Sequence, residues 1–175
     1  SNLATYDAIQ RQQIGLDLQS FDLRASIERV AELAQAMAEE KDIRVIVEGV
    51  ENLGPLLGDE LKITQSLWEI VDNAIKFGRK GGSVWIRARS DDGHARVEIA
   101  DDGPGIQRGQ LLRIFRSFCQ LERPTTRQAS GLGLGLCLVK GIMESMGGTV
   151  SAKSRVGKGS TFTLTFPKRW RGSME

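Results

Sequence analysis

Glu69, Asn73 and Lys76 follow one another at spacings of four and three, and at about 100° per residue they gather on one side of a helix. That side lies about 130° round from the apolar stripe Ile63, Leu67, Ile70, Ala74 and Phe77, which faces the core. Three polar chemistries meet there: a carboxylate, a neutral amide oxygen suited to a hydrated Mg2+ ion, and an ammonium that is a point charge for phosphate. Each taken singly is an ordinary solvated residue, so their weight comes from the segments that follow.

The first is Asp101-Asp102-Gly103-Pro104-Gly105-Ile106, for which the chain supplies its own control. Asp91-Asp92-Gly93 joins two runs of alternating residues, Val84-Ile86-Ala88 and Val97-Ile99, and reads as a hairpin turn. The second Asp-Asp-Gly is followed by no strand. An aspartate ending a buried strand is costly to desolvate unless a donor meets it, and glycines beside it let a planar ligand approach the backbone. The segment therefore reads as a base-binding pocket, with a plain structural turn as the alternative.

The second is Gly131-Leu132-Gly133-Leu134-Gly135. A dinucleotide fingerprint would need its third glycine at Leu136, and a P-loop ending at Gly157-Lys158 would need glycine at Ala152 and Ser or Thr at Gly159. Both motifs fail. What remains is a glycine triplet expected to open a helix, where unpaired N–H groups form an anion site, or else to serve as a hinge.

The elements that must position these groups follow from periodicity. Residues 1–20 read as a linker or the tail of an upstream helical segment. Leu23, Ile27, Val30, Ala34 and Met37 mark a helix, and Ile43 to Glu48 a short strand. The helix Asp59 to Phe77 stops at Gly78, Gly81 and Gly82, and the hairpin comes next. From Arg108 to Ser130 no period is evident, and the stretch reads as a lid. A helix from near Gly135 to Met146 and two strands, Thr149 to Ser154 and Ser160 to Phe166, close the chain.

Composition bounds the rest. The 175 residues are 40% hydrophobic with a net charge of +2, enough for a core and too balanced for gripping nucleic acid by bulk charge. Cys119 and Cys137 with the single His94 support neither a disulfide framework nor a zinc site, and the thiols read as reduced and cytoplasmic. No apolar run is long enough to span a bilayer, and no signal peptide is expected at Ser1.

With these segments in this order, the stretch from Phe21 to Pro167 resembles the catalytic ATP-binding domain of bacterial two-component histidine kinases, in the GHKL superfamily shared with gyrase and a heat-shock chaperone class. Trp68 to Phe77 is similar to its N box, Asp101 to Ile106 to its first glycine box, Ile114 to Phe118 to its F box, and Ser130 to Leu136 to its second glycine box. The resemblance implies Asn73 on Mg2+ with Glu69 beside it, Lys76 on phosphate, and Phe77 and Ile106 among the nucleotide-binding residues. It implies Asp101 on the adenine amino group, with Gly103 and Gly105 beneath the ring. Gly131, Gly133 and Gly135 would line the phosphates, with Ser130, Leu132, Leu134 and Leu136 also in the nucleotide site, Phe115 and Phe118 would anchor the lid, and Thr161 would lie near the adenine.

The implied fold is a two-layer α/β sandwich of Bergerat type, one mixed and mostly antiparallel sheet with about three helices on one face, over residues 21–168 with 169–175 as a tail. The implied activity is that of a protein-histidine kinase: binding of Mg-ATP and transfer of the γ-phosphoryl group to a histidine on a separate dimerisation domain upstream. The implied partners are that domain and a response regulator receiver domain. This chain would be a monomer and its parent a homodimer, cytoplasmic in this part whether or not the parent is membrane-anchored. Two features depart from the pattern. Glu69 stands where many such kinases carry a second asparagine and where hydrolytic relatives carry their water-activating base, and His94 sits beside a hairpin turn rather than on a helix. An ATPase using Glu69 as general base, a nucleotide-binding regulatory module without chemistry, and an anti-sigma-type protein-serine kinase therefore stay open.

Overall fold

The computed structural model describes residues 15–116 and 127–169, leaving aside the side chains of residues 115, 116 and 127–134. Its elements are β1 (Gln19–Asp22), α1 (Leu23–Ala38), a 3-10 turn (Glu39–Lys41), β2 (Arg44–Glu48), β3 (Pro55–Gly58), α2 (Glu60–Lys76), β4 (Ser83–Ser90), β5 (His94–Asp101), α3 (Arg108–Arg116), α4 (Arg127–Ser145), β6 (Thr149–Arg155) and β7 (Gly159–Pro167). Five strands form one sheet in the order β2-β4-β5-β7-β6, and β1 pairs with β3 in a separate antiparallel ladder. Strand β2 runs parallel to β4, because the chain crosses between them through α2, and the other ladders of the large sheet are antiparallel.

Strand alternation decides the two faces. Val84 and Ile86, Val97 and Ile99, and Phe162 and Leu164 are buried and point to one side, where α1, α2 and α4 add Ile27, Leu67, Ile70 and Val139 to the same core. Burying each such side chain fully is worth about 1.5–3 kcal/mol over leaving it exposed. The opposite face carries Trp85 and Arg87, the latter 2.7 Å from Glu48 and stacked 5.8 Å over the Trp85 ring. This is the two-layer α/β sandwich expected, with a mixed, mostly antiparallel sheet.

The structure corrects several local expectations. The first strand opens at Gln19, inside the stretch read as linker, and residues 1–14 lie outside the described residues. Met37 is exposed and Ala38 is buried in its stead, while Phe77 is also exposed, because α2 ends at Lys76 and the backbone of Phe77 leaves the helical range. The stretch read as lacking period holds α3, whose apolar stripe is a single turn centred on the buried Ile114 and so too short to register as a repeat. The remainder of that supposed lid, residues 117–126 with Phe118 and Cys119, lies outside the described residues.

Helix α4 begins at Arg127 rather than near Gly135, so the glycine triplet lies within it instead of opening it. Three glycines cost about 1 kcal/mol each relative to alanine in a helix. The buried run Leu136, Leu138, Val139 and Ile142 anchors the helix from its other half. In this structure the N–H groups without intrahelical partners fall at residues 127–130.

Candidate functional site

The helix α2 is fixed at both ends. At its start the buried Asp59 caps it: Oδ1 accepts from the Lys62 N–H (3.1 Å), and Oδ2 accepts from the Asp17 N–H (3.0 Å) and from Lys62 Nζ (3.2 Å). Burial pushes the Asp59 carboxyl up, but the two N–H groups and the Lys62 ammonium outweigh it and hold the group below the ordinary carboxylate range. At its end Lys41 Nζ donates to the Ile75 carbonyl (3.1 Å), which also accepts from the Gly78 N–H (3.3 Å), and to the Lys76 carbonyl (2.6 Å).

Between these anchors the polar side of α2 is laid out. Asn73 is buried at 7% exposure, and its Nδ2 has no hydrogen-bond partner among the described residues. Glu69, one turn earlier, lies against α4: a Cβ on Gly135 would come 2.6 Å from Glu69 Oε2. Glycine at 135 thus leaves the room that the carboxylate fills, and the contact brings the polar side of α2 onto the glycine-bearing helix. Lys76 is more exposed and pairs with Asp72 at 2.8 Å. Asp72 was not among the expected site residues, although its i,i+4 spacing to Lys76 is the signal that finds such pairs.

The exposed Phe77 leads into the second cluster, since its carbonyl lies 3.2 Å from where a Gly103 Cβ would stand. Asp101 ends β5 on the helix side of the sheet, and its Oδ1 accepts from the Gly103 N–H at 2.9 Å. Asp91 makes the same i to i+2 bond with Gly93 (2.8 Å). The two turns share a local geometry, and what separates them is burial. Burial pushes the Asp101 carboxyl above the ordinary aspartate range, with the N–H groups of Gly103 and Ser160 opposing and the neighbouring Asp102 adding, whereas the N–H groups of Gly93 and His94 hold the exposed Asp91 below it. Asp102 plays a different part: its Oδ1 accepts from the Ser83 N–H at 2.9 Å and ties the end of β5 to the start of β4.

Register places Asp101 opposite Ser160 and Ala100 opposite Thr161. Thr161 therefore stands on the open face of the sheet, and the buried Ser160, its neighbour, is the hydroxyl residue beside Asp101. Strand alternation counted back from the buried Phe162 is the signal that would have found it. Gly103 is buried, and Gly105 and Ile106 are half-buried in the turn that follows. Of the glycine-rich segment, Gly135 and Leu136 are buried in α4, whereas the side chains of Ser130, Leu132 and Leu134 and the surroundings of Gly131 and Gly133 lie outside the description, as does the side chain of Phe115.

The amide oxygen of the buried Asn73 and the Glu69 carboxylate one turn earlier are hard oxygen ligands of the kind that fits Mg2+, and the orphaned Asn73 N–H2 is a donor suited to a phosphate oxygen. Mg2+ takes one or two protein oxygens and completes its shell with water and phosphate. Among the described residues no three His, Cys, Asp or Glu side chains gather into a metal cluster, so the fit is to an ion that arrives with its ligand. Asn73 and Glu69 are the residues that would face it. Cys137 is buried, and no helix among the described residues is long and apolar enough to cross a membrane.

Comparison with known proteins gives a consistent picture. A family model described as histidine kinase-, DNA gyrase B-, and HSP90-like ATPase matches residues 58–169. The aerobic respiration control sensor protein ArcB of Escherichia coli is 32% identical over 168 residues, which cover 94% of this chain and 22% of that protein. The sensor histidine kinase GacS of Pseudomonas protegens is 32% identical over 177 residues, 96% of this chain and 19% of its own length. The chain thus spans about a fifth of the length of these two curated relatives. Among solved structures, full-length ShkA in complex with AMPPNP superposes with a TM-score of 0.83 at 30% identity, over 98% of this chain and 35% of that one. The catalytic domain of the histidine kinase ThkA, at 23% identity and a TM-score of 0.71 over 87% of this chain and 97% of that domain, shares the fold.

Proposed function

Since this chain belongs to the histidine kinase-, DNA gyrase B- and HSP90-like ATPase family, we propose that it binds Mg-ATP and donates the γ-phosphoryl group to a histidine on a separate dimerisation domain of its parent protein. A response regulator receiver domain then takes the phosphoryl group, and this part of the parent works in the cytoplasm. The observation that carries transfer to another domain is the place of the only histidine in the sequence. His94 opens β5 and Asp101 closes it, and seven residues at about 3.4 Å each separate them by roughly 24 Å, which puts the histidine at the far end of the strand from the base pocket and supports an acceptor on another domain.

In this reading Asp101 accepts a hydrogen bond from the adenine amino group, and the Gly103–Ile106 turn lies against the ring. Asn73 offers its amide oxygen to the metal and its unpaired N–H2 to a phosphate oxygen. Mg2+ supplies charge neutralisation across the phosphates when bound. Lys76, the more exposed partner of its pair with Asp72, reaches phosphate by exchanging that contact. The acceptor imidazole nitrogen attacks the γ-phosphorus, the bond from that phosphorus to the β,γ-bridging oxygen breaks, and ADP leaves with the electron pair. Positioning and electrostatic stabilisation carry such a reaction. Glu69 stands close enough to Asn73 to orient the attacking group, and the same placement supports the second reading, hydrolysis with Glu69 as base.

The test is to mix the chain with the histidine-bearing segment of its parent and labelled ATP. Acid-labile phosphate should appear on that segment, and Glu69→Gln should slow its appearance. Steady phosphate release by the chain alone, abolished by Glu69→Gln, would instead establish the ATPase and refute the kinase.

A further inference from the structure

The base pocket is held from behind by the turn between β6 and β7, and one side chain joins the parts. Ser154 Oγ accepts from the Ile106 N–H at 2.7 Å, lies 3.0 Å from the Gly159 carbonyl, and lies 2.8 Å from the Ser160 hydroxyl. A serine hydroxyl has one proton and two lone pairs. These neighbours use all three: the proton goes to the Gly159 carbonyl, one lone pair takes the Ile106 N–H, and the other takes the Ser160 hydroxyl. Every hydrogen-bonding valence of Ser154 is therefore spent inside this corner of the fold.

Each of those three partners touches the base-reading residues. Ile106 ends the Gly103–Ile106 turn. Ser160 stands opposite Asp101 in register, and its N–H faces the Asp101 carboxylate. Gly159, at φ +105°, lies so close to the Asp101 backbone that no Cβ could stand between them. A second clasp sits beside the first: the Gly157 N–H donates to the Pro104 carbonyl at 2.8 Å, and Gly105, at φ +74°, packs against the Arg155 carbonyl.

We propose that Ser154 is a positioning residue for base selection: by fixing Ile106 and Ser160 together, it holds the glycine turn and Asp101 in the one arrangement that accepts adenine. The inference rests on the reading of this site as an adenine-nucleotide site. Ser154 touches no part of the ligand and acts through Asp101 and the turn. Without its hydroxyl the Ile106 N–H and the Ser160 hydroxyl lose their partner, the turn shifts among several positions, and the site distinguishes adenine from guanine less well.

The experiment measures the affinities of the 175-residue chain for Mg-ADP and Mg-GDP by calorimetry in the wild type, Ser154→Ala and Ser154→Thr, with hydrogen exchange of the nucleotide-free proteins alongside. Ser154→Ala should weaken ADP binding about tenfold, narrow the preference for ADP over GDP, and speed exchange at Ile106 while Val97 and Ile99 stay protected. Ser154→Thr, which restores the hydroxyl, should restore all three. Wild-type ADP affinity and preference in Ser154→Ala would overturn the proposal. So would an equal loss for both nucleotides with faster exchange at Val97 and Ile99, which describes a merely structural serine. A wild type that binds no adenine nucleotide would remove the nucleotide reading and this inference with it, whereas normal wild-type binding with an indifferent Ser154→Ala removes the inference alone.

Discussion

Asp101→Asn separates what the carboxylate does for the fold from what it does for the ligand. Burial raises the pKa of Asp101 in the folded chain, so the native state binds its proton more tightly than the unfolded state does. Stability therefore falls as pH rises from the ordinary aspartate range through the raised value, and at neutral pH the ionised group is a net burden on folding. Asparagine removes the charge and keeps an oxygen for the Gly103 N–H, now 2.9 Å from Asp101 Oδ1, so the variant should melt at or above the wild-type temperature. Binding should move the other way. Exchanging a charged acceptor for an amide, with an N–H2 turned toward the amino group of the base, loses one charge-assisted hydrogen bond of about 1.5–3 kcal/mol, roughly 10- to 150-fold in Kd. Calorimetry with Mg-ADP and thermal melts on the same samples read both quantities. Wild-type binding should also weaken as pH falls through the raised pKa of Asp101, while the Asp101→Asn curve stays flat over that range. Unchanged affinity in the variant, or a loss of melting temperature in proportion to a loss of affinity, would refute the reasoning.

Two further substitutions probe the helix that carries the site. Asp59→Ala removes a cap and leaves the Asp17 N–H without its acceptor, costing about 2–3 kcal/mol and lowering the melting temperature by roughly 4–12 °C, whereas Asp59→Asn keeps the cap and should lose about half as much; equal losses in the two would deny the cap its share, and an undiminished Asp59→Asn would deny the tether to Asp17. Gly135→Ala gains up to about 1 kcal/mol of helix propensity but forces Glu69 Oε2 off its seat 2.6 Å from the new Cβ, so the variant should fold as well as the wild type and transfer phosphate more slowly, and unchanged transfer would show that the position of Glu69 is not critical.

Much of the site is legible in the chain because it lies on regular elements. The helical spacing of Glu69 and Asn73 already places them one turn apart, and the contrast between the two Asp-Asp-Gly turns already singles out Asp101. What periodicity could not deliver are contacts between elements distant in sequence. Strand alternation puts Ser154 on the same face as Val150 and Ala152, but Ser154 and Ile106 are 48 residues apart and nothing local says that they meet. The resemblance points to Thr161 and not to Ser160, because a short motif fixes which residues occur but not which face each one takes, and the face depends on where β7 enters the sheet. Helix α4 defeated a local reading for the opposite reason: glycines argue against a helix residue by residue, and tertiary packing of its second half overrides them.

The same comparison explains why α2 is the organising element of the site. Its polar side is worth something only if three positions along nearly two turns keep their places relative to Asp101 on another strand, and a helix end free to fray would lose Lys76 first. The chain meets that need from both sides. Asp59 ties the start of α2 to the incoming segment at Asp17, and Lys41, from the turn after α1, holds the last carbonyls in place of the missing helical N–H groups. The Gly81 N–H donates to the Lys41 carbonyl at 2.9 Å, and the next residue but one, Ser83, is held by Asp102, so the end of α2 and the end of β5 are joined through the start of β4. The geometry between Asn73 and Asp101 is thus set by a short chain of hydrogen bonds through Lys41, Gly81, Ser83 and Asp102 rather than by the side chains that would contact the nucleotide.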